Sequence, residues 1–145
     1  MASREEVQAK RDLLSGIDTY CQANKELETL KSELRGKEVA CYISGGDSCI
    51  QKYDNFRIKY AMMNREHERD LEDCLDVCRS LLPKSLVVQD LSKLRLGSAE
   101  EMAGFRDFVE CHVGCLDKGR QKIESMKTDV KTVLQSVPST PKPLL

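Results

Sequence analysis

Tryptophan is absent from the 145 residues, aromatic side chains make up only 5%, and histidine occurs twice. So little aromatic bulk argues against a β-rich fold or a large ligand cavity. With 32% charged residues it suits long helices with solvated faces. No apolar run approaches the ~20 residues that span a bilayer. No basic tract offsets the formal net charge of -1, so neither nucleic acid nor an anionic membrane surface is an expected partner. Glu5, Glu6 and Asp12 make the first stretch too charged for a secretory signal and too acidic for an arginine-rich transit peptide. The expected class is therefore soluble, or peripheral to a membrane at most.

Cysteine, by contrast, is plentiful: seven in one domain's worth of chain. Four of them form two identical spacers, Cys74-Leu-Asp-Val-Cys78 and Cys111-His-Val-Gly-Cys115. On a helix each spacer puts two thiols one turn apart, ~6 Å along a single face. If the two helices are antiparallel the order is self-complementary: Cys74 faces Cys115 and Cys78 faces Cys111, with a common fold-back point near Leu94 and Arg95. The residues themselves leave three readings open, namely a disulfide staple, a four-thiolate metal site and inert buried thiols. Cys41 and Cys49 are a further candidate pair. Because seven is odd, at least one thiol stays free in a fully oxidised monomer.

Three matches to the capping box, Ser3-Arg-Glu-Glu6, Ser48-Cys-Ile-Gln51 and Ser98-Ala-Glu-Glu101, each precede a long periodic segment. The sequence thus predicts an all-α fold of three long helices, about 4–35, 49–82 and 99–136, forming an elongated bundle or coiled coil. These make a single helical domain over 1–137, followed by an extended proline-rich tail over 138–145. The first helix carries Leu13, Ile17, Tyr20, Leu27 and Leu34 on one seam, interrupted by Asn24 and Lys31, and Gly36 fits its C-terminal cap. Val39 to Ile43 then read as extended, with Gly45-Gly46 as a turn. The second helix carries Phe56, Tyr60, Met63, His67, Leu71, Cys74, Cys78 and Leu81 and stops at Pro83. The third sustains a heptad seam from Met102 through Val109, Leu116, Ile123 and Val130 to Val137. Its cysteines lie on an adjoining stripe with Phe108, so this helix is expected to touch two neighbours. Val87, Leu91 and Leu94 permit a short packed helix in the connector. Helix 1 and the stretch from Ile123 to Val137 carry more apolar seam than helix 2 alone would cover, which suggests a protein partner there.

Signals for catalysis are weak. Ser44-Gly-Gly-Asp-Ser48 resembles the phosphate-cradling SGGxDS loop of the ATP pyrophosphatases, but it is one residue short and lacks the further strands of a parallel sheet, so a turn with an N-cap explains it. His67 and His112 fall on seams, where a core or boundary histidine is the expected role, and the carboxylates alternate with lysines as on solvated helix faces. No enzyme, cofactor or metal is expected.

The paired Cys-x3-Cys elements on antiparallel helices resemble the twin CX3C proteins of the mitochondrial intermembrane space, of which the small Tim chaperones are the best known. The resemblance covers Cys74, Cys78, Cys111 and Cys115 with their helices. It implies that outer pairs with outer (Cys74 with Cys115) and inner with inner (Cys78 with Cys111), that entry needs no cleaved presequence, and that oxidation traps the chain. The segment 79–110 is longer than the family's usual spacing, and a whole N-terminal helix is added. The expected role is therefore a non-enzymatic, disulfide-stapled accessory or structural subunit, or assembly factor, of a mitochondrial inner-membrane complex. A small Tim-like import chaperone, and a reduced cytosolic coiled-coil adaptor, are the alternatives. In each case protein partners would bind through the helix seams of a hetero-oligomer.

Overall fold

The computed structural model describes residues 3–86 and 96–136. Three helices, α1 (Arg4–Ser44), α2 (Gly46–Arg79) and α3 (Ala99–Ser136), account for most of them, with a 3-10 turn at Lys84–Leu86. No strand occurs among the described residues, so the all-α class holds. The chain divides into two compact units, Met1–Cys21 with Glu68–Gly119 and Gln22–His67 with Arg120–Leu145.

Two of the three expected caps form. Ser3 Oγ accepts from the Glu6 backbone N–H at 3.1 Å, and Ser98 Oγ accepts from that of Glu101 at 3.1 Å. Each satisfies one of the donors that a helix start leaves unpaired. Glu101 returns to the Gly97 N–H at 3.0 Å. Glu6, itself buried, instead accepts from the Leu96 N–H at 3.1 Å and so ties the approach to α3 against the first turn of α1.

The third cap does not form, because the first break lies elsewhere than the sequence suggested. α1 runs through Gly36, and the expected extended stretch Val39 to Ile43 is helical. Ser48 consequently lies inside α2, which begins at Gly46. A helical glycine costs about 1 kcal/mol, but the heptad positions Leu27, Leu34 and Cys41 continue unbroken across Gly36 and all three are buried, with Ala40 beside them. That burial, worth about 0.8 kcal/mol per methylene, favours continuation. The chain reverses only at the two glycines. The Gly45 N–H donates to the Cys41 carbonyl at 2.9 Å, and Gly46 adopts φ 75°, a conformation costly for residues with a Cβ.

α2 stops at Arg79 rather than Leu82; Leu81 and Leu82 donate to the Cys78 and Arg79 carbonyls in tighter turns ahead of Pro83, and Leu81 is 43% exposed rather than on the buried stripe. The connector helix expected from Val87, Leu91 and Leu94, and the extended tail 138–145, lie outside the described residues.

In the first unit Ala9 and Leu13 of α1, Cys78 of α2 and Phe105, Phe108, Val109 and Cys115 of α3 form the core, closed by Leu86. In the second, Leu27, Leu34 and Cys41 of α1 are buried together with Tyr53 of α2 and Ile123, Met126 and Val130 of α3. The distal α3 seam is thus covered from within the chain, because α1 is nine residues longer than its sequence pattern implied and lies beside it: Lys37 Nζ donates to the Leu134 carbonyl at 2.9 Å. Asn24, expected to interrupt the seam, is exposed and Ala23 is buried instead, since a 3.6-residue helix drifts against a strict heptad.

A Cβ at Gly36 would meet no atom within 4 Å. Gly36→Ala is therefore expected to stabilise the protein by about 0.5–1 kcal/mol in urea unfolding; a neutral or destabilising result would mean that α1 ends there.

Candidate functional site

The cysteine stripe of α2 meets that of α3 in antiparallel register. Cys74 is bonded to Cys115 and Cys78 to Cys111, with Cα separations of 5.8 and 5.5 Å. Both separations fall where disulfides form without backbone movement. Cys78 and Cys115 are buried while Cys74 and Cys111 are half-buried. The two rungs touch, with Cys78 Sγ 3.4 Å from Cys115 Sγ. The sulfurs of Cys78, Cys111 and Cys115 lie within 4.8 Å of one another, but as disulfides they carry no thiolate, the form a metal ligand requires. A third disulfide, Cys41 to Cys49, closes the α1–α2 turn at a Cα separation of 5.8 Å. A Cβ on Gly45 would come within 2.8 Å of Cys49 Sγ, so the turn and this bond need glycine there. Cys21 is free and exposed.

His112, between the two α3 cysteines, packs on Phe108 with ring centroids 5.2 Å apart. Its Nδ1 is buried and has no hydrogen-bond partner among the described residues. Burial, and then the Arg79 charge, lower its pKa below the ordinary 6.5. His67 is buried. The two histidines thus lie on the helix seams.

In the second unit, α1 and α2 enclose a groove of about 340 Å³. Leu34, Tyr53, Phe56 and Tyr60 form its apolar wall, and Lys31, Arg35, Glu38 and Arg57 are its charged groups. The Tyr53 hydroxyl donates to the Leu34 carbonyl at 3.2 Å, which fixes its ring. Tyr60 has a buried hydroxyl with no hydrogen-bond partner among the described residues, and burial pushes its pKa up to about 12. Lys31, expected as a polar seam residue, sits with Nζ 5.4 Å from the Tyr60 ring centroid and 3.3 Å from Glu28. The same unit holds Lys127, nearly buried, whose hydrogen bond to Glu26 raises its pKa and lowers that of the carboxylate.

Sequence reasoning missed the groove because it turns on Tyr53, which lies three residues before Phe56 and was assigned to no face. The available signal was the i, i+3, i+7 spacing of Tyr53, Phe56 and Tyr60.

No family model, curated protein or solved structure matches the chain.

Closing a loop the size of that between Cys78 and Cys111, 33 residues apart, is worth about 3 to 4 kcal/mol through the unfolded chain. Cys74, Cys78, Cys111 and Cys115 all changed to Ser, so that neither rung closes the loop, should lower stability by at least that order in chemical denaturation. Cys21→Ser should change it by less than about 0.5 kcal/mol. Equal effects would remove the ladder from the account of stability.

The His112 shift gives a second expectation. Its folded pKa lies below the unfolded value, so as pH falls through about 6.5 the unfolded chain takes up the proton first and stability is lost until the folded pKa is passed. Comparing urea midpoints at about pH 7.5 and 5.5, His112→Gln should lose less stability than wild type on acidification. An equal loss would show that His112 titrates normally.

Proposed function

We propose that this chain is a non-enzymatic, disulfide-stapled helical protein that serves as an accessory subunit or assembly factor of a mitochondrial inner-membrane complex, on the intermembrane-space side. The observation that carries this reading is the ladder: two Cys-x3-Cys spacers on antiparallel helices, bonded outer to outer and inner to inner. Such pairing resembles the twin CX3C arrangement, and three disulfides need an oxidising compartment to persist. No described helix is long and apolar enough to cross a membrane, which agrees with a peripheral placement. Ile58 and Met62, one turn apart on α2, are 65% and 67% exposed and give a protein partner apolar surface to cover. The longer segment between the motifs and the added α1 favour the subunit reading over an import chaperone.

The test is location and company. In protease protection on isolated mitochondria, the chain should survive while the outer membrane is whole, become digestible once that membrane is ruptured, and co-migrate with an inner-membrane complex in native electrophoresis. Recovery from the cytosol with its thiols alkylatable would contradict the proposal and favour the reduced coiled-coil adaptor.

A further inference from the structure

Aromatic residues are scarce in this chain, four tyrosines and three phenylalanines in all, yet three of them, Tyr53, Phe56 and Tyr60, line the α1–α2 groove. Tyr53 is buried, while Phe56 and Tyr60 are half-buried and keep apolar surface that a partner can cover. The charge around it also leaves one cation over. Three cations, Lys31, Arg35 and Arg57, stand against one lining carboxylate, Glu38, on a protein whose net charge is -1. Lys31 is engaged by Glu28 at 3.3 Å and Arg57 by Glu38 at 3.6 Å. Arg35 is exposed and forms no ion pair or hydrogen bond among the described residues.

We propose that this groove is a docking site for an acidic segment of a partner protein that carries one large apolar or aromatic anchor. The anchor would sit against the half-buried Phe56 and Tyr60, and a flanking carboxylate would pair with the guanidinium of Arg35. A planar guanidinium is suited to bidentate carboxylate contact, and buried aromatic anchors with a charged rim are the usual carriers of interface affinity. An acidic peptide fits better than a nucleic acid strand, because a strand needs a continuous basic track along its backbone and these cations are confined to one groove. The inference goes beyond the accessory-subunit reading and rests on the groove alone, so it stands or falls independently of the compartment.

The missing tryptophan makes the test simple. An acetylated and amidated pentapeptide with a central tryptophan and two acidic residues on each side is the only species excited at about 295 nm in a mixture with this tryptophan-free chain. With the oxidised full chain, its emission should shift to the blue and saturate below about 1 mM. Arg35→Glu, at an exposed position and confirmed folded by circular dichroism, should weaken binding about tenfold or more. Lys118→Glu, an exposed charge reversal in the other unit, should change it less than about twofold, and the same peptide with lysines as flanks should not bind. Four results would overturn the proposal: no saturable shift, equal binding of the lysine-flanked peptide, equal loss in both variants, or tighter binding of a uridine octanucleotide that competes with the peptide.

Discussion

Two sulfur bridges one helical turn apart hold α2 and α3 in a single register, and the rest of the first unit is arranged around that fixed pair. One disulfide alone would leave the helices free to rotate about it. Two bonds, Cys74 to Cys115 and Cys78 to Cys111, set direction, register and facing surfaces together. With the facing surfaces set, Phe105, Phe108 and Val109 of α3 are buried against Ala9 and Leu13 of α1. Gly16 gives α1 a close approach, since a Cβ there would lie 3.1 Å from Val113. Polar contacts such as Glu6 with the Leu96 N–H and Glu5 with Arg106 accompany this packing. Cross-linking and apolar burial therefore hold it, as befits a small core with little aromatic volume.

The second unit follows a different logic. Its cross-link, Cys41 to Cys49, spans only eight residues and closes a short loop, so on the chain-entropy account it stabilises less than the first rung of the ladder to close. Continuous burial along α1 does more there. Leu27, Leu34 and Cys41 of the α1 heptad series, Ile123, Met126 and Val130 of α3 and Tyr53 of α2 are all buried. The groove shares Leu34 and Tyr53 with this buried set, and exposed Arg35 at its edge forms no ion pair or hydrogen bond among the described residues.

Much of this was legible in the sequence, and the failures share one cause. The two matched spacers made a ladder legible on the condition that the helices are antiparallel, although the residues alone also left a metal site and inert thiols open. The seam of α3 was legible because Phe105, Val109, Leu116 and Ile123 recur at helical period. Local signals misled where tertiary burial opposed them. Gly36 looked like a cap and Val39 to Ile43 like a strand, yet Ala40 and Cys41 are needed in the core. Ser48 matched a capping box that a helix already begun at Gly46 cannot use. The groove's aromatic row could be read from the spacing of Tyr53, Phe56 and Tyr60, but Glu38 could not be placed in its lining, because it lies beyond the end predicted for α1 near Arg35.

The central claim is the pairing itself, since the compartment and the accessory role are both argued from it. The direct measurement is mass-spectrometric peptide mapping, without reduction, of protein isolated from its native source after its free thiols are blocked. The account predicts cross-linked peptides joining Cys74 to Cys115, Cys78 to Cys111 and Cys41 to Cys49, with Cys21 alone carrying the blocking group. Finding Cys74, Cys78, Cys111 and Cys115 all blocked, or joined within their own spacers, would contradict it.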